Sequence, residues 1–388
     1  MTDRPGAPRR IAVLTTGRQD WGILHSTCAA IRAHPSLELA LWAGGTHLSE
    51  RHGHTIDQVR ADGFEPDAEF AWLDTEADPP ADRQASDALA AVGAQLRATP
   101  VDAIVLAGDR FETAAAALAA TVDRVPIVHL HGGEQTLGAF DDALRHAITK
   151  LSHLHLVSSQ EHARRVLAMG EDPASVHVVG APGLDALARP DLPDRAALEA
   201  ALGIALDPPV VIVTVHPATL DVDPASAARA VASAMDLVDA TYVVTLPNTD
   251  PGAATVRELM LAASTADRRV AVDALGEALY WGLLRVADAV LGNSSSALVE
   301  APAVGLPAVN VGGRQAGRAR DANVLDATAD ASAVAEALGY ALTPGFREVA
   351  ETARPTLADG RAGARIADII AAWRPPSPPT KPPIRLEP

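Results

Sequence analysis

Residues 125–158 read VPIVHLHGGEQTLGAFDDALRHAITKLSHLHLVS, and they decide the fold. Two short apolar runs, 125–131 and 153–158, flank a glycine-containing turn and a helix-like segment at 141–151. Apolar runs of this length, rich in Val, Ile and Leu and separated by one helix, are what a parallel strand buried on both faces requires. The same alternation extends outward in both directions. Strands are predicted at 11–16, 37–43, 101–108 and 176–180, with helices near 20–33, 82–97, 110–122 and 159–169. A second series of strands follows at 209–216, 241–247, 269–275, 288–293 and 307–312. The fold class is therefore α/β, with two Rossmann-like doubly wound domains in tandem, whose ligands bind beyond the carboxyl ends of the strands.

The break between the two series lies in APGLDALARPDLPDRAALEAAL, where Pro182, Pro190 and Pro193 interrupt the pattern before a new helix. We therefore expect an N-terminal domain over 1–187 and a C-terminal, nucleotide-binding domain over 188–360. A helix over 361–374 is expected to pack back toward the first domain. The segment 375–388, PPSPPTKPPIRLEP, is too rich in proline to pack and is expected to be disordered.

Composition narrows the class of partner. Formal net charge is −17, and Lys150 and Lys381 are the only lysines. That excludes a phosphate-backbone footprint, so no nucleic acid is expected, and an anionic membrane surface is disfavoured for the same reason. An anionic small substrate is still compatible, because a few arginines and helix N-termini hold phosphate locally. Cys28 is the only cysteine, which fits a reducing compartment and rules out an intrachain disulfide. The apolar run after Arg9 and Arg10 is too short for a signal-peptide core, and no run approaches membrane-spanning length. A cytoplasmic location is expected.

Chemistry-bearing residues gather where strands end. TTGRQDW (15–21) leaves the first strand with Gly17 free to let backbone approach a ligand and Arg18 able to grip phosphate. No GxGxxG or GxxxxGK[ST] motif occurs. AGDRFET (107–113) puts Asp109 and Arg110 at another strand end, where Asp109 equally suits a helix cap. In the opening stretch His129 and His131 alternate and so are expected on one face of a strand, while Gly132 and Gly133 permit a turn that presents Glu134. Asp141 and Arg145 are four apart on one helical face, as are Asp142 and His146. Three readings stand here: helix-surface ion pairs, an acid/base site, or a metal site. The metal reading lacks HExxH and a clear third ligand, so no metal is expected.

VTVHPAT (213–219) places His216 at a strand end, suited either to acid/base work or to a satisfied structural role. GNSSSALVEAP (292–302) then sets Asn293 and three hydroxyls, Ser294, Ser295 and Ser296, at a strand-to-helix turn able to bind phosphate. Glu300 is spaced to take ribose hydroxyls, and Arg314 and Arg318 are candidates to line the same cleft.

Taken together, TGRQDWG, THLSERHGHTIDQVRADGF, GDRFET, HLHGGE with DDALRHAITKLSHLHL, VHP, and GNSSSALVEAP with GRQAGRARDANV resemble the hydrolysing UDP-N-acetylglucosamine 2-epimerases of sialic-acid-type sugar biosynthesis. The resemblance spans about residues 10–370. It implies a glycosyltransferase-B-like fold, two Rossmann-type domains facing each other across a cleft that encloses a UDP-sugar. It also implies elimination of UDP to a 2-acetamidoglucal and hydration with inversion at C2, without a cofactor. By the same resemblance, Asp109, Asp141 and His216 are catalytic, with Arg145 in support. Arg18, Arg110, Ser294, Ser295, Glu300 and Arg314 contact the nucleotide, and His47 lies in a substrate-facing loop. Many relatives carry Glu at the position of His131, so its role falls either to His131 or to Glu134.

Gln19 and Trp21 depart from the Ala and Tyr usual in the family's first loop, and Gly45-Thr46 replaces Gly-Met in loops that the resemblance places at the sugar, so two substrates are expected: UDP-N-acetylglucosamine, giving N-acetylmannosamine and UDP, or a modified sugar such as a 2,4-diacetamido-trideoxy hexose. Relatives of this kind are commonly dimers or tetramers, so a homo-oligomer is expected. The competing readings are a glycosyltransferase on the same fold, a non-catalytic nucleotide-sugar sensor and a metallohydrolase.

Overall fold

The computed structural model of the chain describes residues 7–73, 79–137, 139–247, 250–353 and 358–381. It contains two parallel sheets, each belonging to its own compact unit. The first sheet has strands β1 (Arg9–Thr15), β2 (Leu37–Gly44), β3 (Ala68–Phe70), β4 (Ala103–Ala107), β5 (Ile127–Leu130), β6 (Leu154–Val157) and β7 (Val176–Val178). Their spatial order is β3-β2-β1-β4-β5-β6-β7. The second has β8 (Val210–Thr214), β9 (Thr241–Thr245), β10 (Arg269–Val272), β11 (Ala289–Gly292), β12 (Ala308–Val311) and β13 (Val324–Ala327), in the order β10-β9-β8-β11-β12-β13.

Every residue of β4, AIVLA, and of β8, VVIVT, is buried, as helices on both faces of a parallel sheet demand. With few aromatics in the chain, these cores are built from Ala, Val, Leu and Ile. The order reverses between β1 and β4 and again between β8 and β11. In doubly wound sheets that crevice, at the carboxyl ends, is where ligands bind. Two strands were not legible beforehand. β3 has only three residues and β13 reads VLDA, so neither edge strand carries the continuous apolar run of a central one.

The first unit joins Met1–Glu134, Asp141–Ala188 and Thr356–Pro388, and the second joins Gln135–Phe140 and Arg189–Pro355. A simple division near 187/188 therefore misses Gln135–Phe140. Local hydrogen bonds explain that assignment: Leu137 N–H donates to the Ala316 carbonyl (3.0 Å) and Phe140 N–H to Thr219 Oγ1 (3.4 Å).

The helix Ala362–Ala372 completes the core of the first unit. Its Ile366, Ala367 and Ile370 are buried with Ile11, Leu24, Cys28 and Ile31. Asp185 accepts the Ala362 and Gly363 N–H groups at 2.9 and 2.7 Å, satisfying donors that a helix start leaves open. Gly363 is needed for the approach: a Cβ there would stand 2.6 Å from the Ser26 carbonyl oxygen. At the other end Arg9 donates to the Ile370 and Ala371 carbonyls.

Of the Pro-rich segment expected to be disordered, the structure describes Pro375 to Lys381, and residues 382–388 lie outside the described residues. Lacking backbone N–H groups does not stop a side chain from anchoring the segment. The Lys381 ammonium donates to the Thr149 and Lys150 carbonyls at 3.2 and 3.0 Å and pairs with Glu171. Glu171 is buried and also bonds Lys150 (2.6 Å) and His155 (3.0 Å). Burial alone would raise its pKa, but bonds from His155, Lys150 and Lys381 overcome that and hold it at about 2.

A carboxylate with a depressed folded pKa contributes stability above its ordinary value of 4.5 and loses it as pH falls through about 2. Glu171→Gln should therefore be less stable than wild type at pH 7 and show a shallower loss of stability below pH 4.5. Urea unfolding across that range measures it, and a decline as steep as that of wild type refutes the assignment.

Candidate active site

In the first unit, the loops after β4 and β5 and the start of the helix Asp141–Leu151 carry a carboxylate-rich cluster. At its centre the Arg145 guanidinium, buried with 1% exposure, pairs with Asp109 and with Asp142 (3.1 Å). Burial opposes this charge, but Asp109, Glu134 and Asp142 together raise the Arg145 pKa above its ordinary value. Asp109 is partly open to solvent at 23% of its side chain. A buried cation thus fixes a carboxylate whose other face is accessible, an arrangement suited to proton transfer. Asp141 is itself buried. His146 Nε2 lies 3.5 Å from Asp142, the helix-face pair that the spacing suggested.

His131 and Glu134 form one unit. His131 Nδ1 is 2.7 Å from Glu134 Oε1, and Ser158 Oγ donates to the same oxygen at 3.3 Å. His131 Nε2 is buried and has no hydrogen-bond partner. The expected alternation with His129 does not reach His131, because β5 ends at Leu130 and His131 adopts a left-handed φ of 63°. That conformation is costly for a non-glycine residue and here turns the chain toward Glu134. Gly133 follows at φ 76°, where a Cβ would lie 2.3 Å from the His162 carbonyl oxygen.

His129, by contrast, is structural. Its Nε2 donates to the Gly108 carbonyl (2.8 Å) and its Nδ1 meets Thr149 Oγ1 (3.2 Å). Burial pushes its pKa down to about 3, so it stays neutral. The bond to Gly108, which has φ 77°, holds the backbone immediately before Asp109.

The first loop corrects several expectations. His47 is fully buried between Thr15 Oγ1 (2.8 Å) and Thr55 Oγ1 (2.8 Å). Burial lowers its pKa to about 4, and both ring nitrogens bond protein, so it braces the loop. Trp21 likewise points inward, donating its indole N–H to Asp62 at 2.7 Å. Gly17 leaves room for both Gln19 and Thr46: a Cβ there would lie 2.2 Å from Thr46 Oγ1 and 2.8 Å from the Gln19 amide. Arg18 is half-buried at the start of the helix Arg18–Ala33. Arg110 is buried and forks onto Glu112 at 3.2 and 3.0 Å. Asp20 escaped the sequence reading altogether. Burial raises its pKa to about 6 against the Thr16 hydrogen bonds and Arg110 that lower it.

In the second unit the carboxyl ends of β8 and β11 meet through Asn293. This fully buried amide accepts His216 N–H at 2.7 Å and donates to the His216 carbonyl at 2.8 Å. Asn293, expected as a nucleotide contact, is therefore a backbone clamp for His216. Its own carbonyl accepts from Gln315 Nε2 (2.8 Å) and Arg314 (3.2 Å), which draws the loop after β12 to the same place. Gly292 before it must lack a side chain, since a Cβ would stand 2.0 Å from the Thr214 carbonyl oxygen.

Ser294 and Ser295 are half-buried at the turn, whereas Ser296 is buried and bonded to the Tyr280 hydroxyl. Ser294 and Ser295 are thus the more accessible of the three hydroxyls. Glu300 closes the short helix Ser296–Val299. Arg318 donates from Nε and Nη2 to Thr136 Oγ1 at 3.3 and 3.1 Å. Among the described residues no group of three or more His, Cys, Asp or Glu side chains is arranged to hold a metal. None of their helices is long and apolar enough to cross a membrane.

Residues 29–371 match the family model described as UDP-N-acetylglucosamine 2-epimerase. The chain is 32% identical over 344 residues to the UDP-N,N'-diacetylbacillosamine 2-epimerase (hydrolyzing) of Legionella pneumophila, covering 86% of this chain and 89% of that one. It is 31% identical over 323 residues to the GDP/UDP-N,N'-diacetylbacillosamine 2-epimerase (hydrolyzing) of Campylobacter jejuni, covering 82% and 84%. In fold it is similar to the UDP-GlcNAc 2-epimerase of Neisseria meningitidis solved with UDP-GlcNAc, with a TM-score of 0.79 at 15% identity over 94% of this chain and all of that one. By sequence and by fold, the chain belongs to the UDP-N-acetylglucosamine 2-epimerase family.

Proposed function

We propose that the protein is a hydrolysing C2 epimerase of a UDP-2-acetamido sugar. The observation that carries this reading is the carboxylate cluster around Arg145, with the His131–Glu134 pair beside it in sequence and charge. In the reaction, a base takes the weakly acidic C2 proton while the C1–O bond breaks and its electron pair leaves with UDP. The resulting glycal takes up water, hydroxyl at C1 and a proton at C2 from the opposite face, which releases the free C2 epimer. The base must lie within hydrogen-bond reach of C2, and the charge that develops on UDP must be met by fixed donors.

Glu134 is assigned to the C2 proton, with His131 as its hydrogen-bonded partner, and Asp109 and Asp141 to the remaining proton transfers. Ser294, Ser295 and Arg314 are assigned to the diphosphate and His216 to the leaving-group side. The sugar named for the relatives, N,N'-diacetylbacillosamine, favours a 2,4-diacetamido-trideoxy substrate over UDP-N-acetylglucosamine.

Purified protein incubated in deuterated water with each UDP-sugar should release UDP and give a product deuterated at C2, read by NMR. Transfer of an intact sugar to an acceptor, with no C2 deuterium, overturns the proposal. Glu134→Gln should lose C2 exchange by about a hundredfold or more, the scale of general-base removal, and His131→Ala should lose less. The reverse order gives the base role to His131.

Asn293→Ala strips partners from two buried His216 backbone groups, each worth about 1–3 kcal/mol when left unsatisfied. It should lower both the urea midpoint and kcat. An unchanged kcat removes Asn293 from the positioning of His216.

A further inference from the structure

The segment Gln135–Phe140 packs with the second unit, although Glu134 before it and Asp141 after it belong to the first. Its attachments are specific. Thr136 is buried and its single Oγ1 accepts from Arg318 Nε at 3.3 Å and Nη2 at 3.1 Å. Leu137 N–H donates to the Ala316 carbonyl at 3.0 Å. The Leu137 side chain sits where a side chain of Gly317 would be, its Cγ 2.8 Å from the position of a Cβ there, and Gly317 has φ 84°. At the far end Phe140 N–H reaches Thr219 Oγ1 at 3.4 Å, next to Asp141. The loop that holds Thr136 and Leu137, Arg314–Arg318, is itself bound to the Asn293 carbonyl through Arg314 and Gln315.

From these contacts we infer that Thr136 and Leu137 are positioning residues, a strap that transmits the state of the Arg314–Arg318 loop to Glu134. The inference rests on the epimerase reading above. Chain geometry supplies the physical reason. Two residues span at most about 7 Å, so Glu134 cannot absorb a displacement of Thr136 by slack in the chain. Arg318 then serves the reaction by holding Thr136 rather than by binding phosphate. Nucleotide that orders the Arg314–Arg318 loop also orders Glu134, which links occupancy to proton chemistry through one short covalent segment.

The test uses the full-length protein with UDP as the probe. Thr136→Val keeps the shape and removes the acceptor, whereas Thr136→Ser keeps the acceptor. The valine variant should lower kcat by about tenfold to a hundredfold, the scale expected of a small misplacement. Its KM and its UDP Kd should stay within about threefold of wild type, the split expected when an interaction outside substrate binding is lost. The serine variant should recover most of kcat. In wild type, UDP should slow hydrogen exchange at the Leu137 amide.

A tenfold weaker UDP Kd with unchanged kcat in the valine variant overturns the strap, because Arg318 would then act on the nucleotide. Equal damage from valine and serine overturns it as well. If UDP slows exchange over 314–318 and leaves Leu137 unchanged, the strap falls and the epimerase reading stands. If no UDP-sugar releases UDP while UDP still protects Leu137, the strap stands and the epimerase reading falls.

Discussion

The two hydrogen bonds between the Asn293 amide and the His216 backbone organise the carboxyl edge of the second sheet. They join the ends of β8 and β11 at the point where the strand order reverses. A buried amide that spends its donor and acceptor on one residue's N–H and C=O admits little alternative geometry, because breaking either leaves a desolvated polar group. The serine turn leaves from the same residue, and Arg314 and Gln315 are drawn to its carbonyl. Gly292 makes the arrangement possible, since the Thr214 carbonyl occupies the space of any side chain there. One amide therefore sets the position of a histidine, a hydroxyl turn and an arginine loop.

The first unit solves a related problem with charge. Arg145 is almost wholly buried and is surrounded by Asp109, Asp142 and Glu134. A lone buried cation would be expensive, and an excess of carboxylates around it compensates while leaving anionic oxygens to act. His129 contributes from behind, as a neutral imidazole fixing Gly108. The left-handed turn at His131 adds local strain, which persists where surrounding contacts hold it.

Much of this was legible in the sequence, and what was missed has physical causes. Central strands such as AIVLA and VVIVT announce themselves because burial on both faces leaves no polar position. The edge strands β3 and β13 do not, since an edge needs only a few paired residues. Residue type and strand-end position singled out Asp109, Glu134, Asp141 and His216. They did not separate residues that face a ligand from those that hold the frame. His47 and Asn293 were singled out as ligand contacts, and the sequence held no sign of the buried partners that fix each of them to the protein. Asp20 and Thr136 gave no signal, because their importance lies in burial and in partners distant along the chain.

The order of residues in the first unit bears on how the chain is made. Its sheet begins at Arg9, yet the helix that seals Ile11, Leu24 and Ile31 is Ala362–Ala372. During synthesis the second unit, ending at Pro355, has its main segments outside the ribosome before that helix emerges. The half that starts first is thus finished last. Until then its apolar face is open, and the nascent chain carries an unsealed core through the translation of roughly half its length.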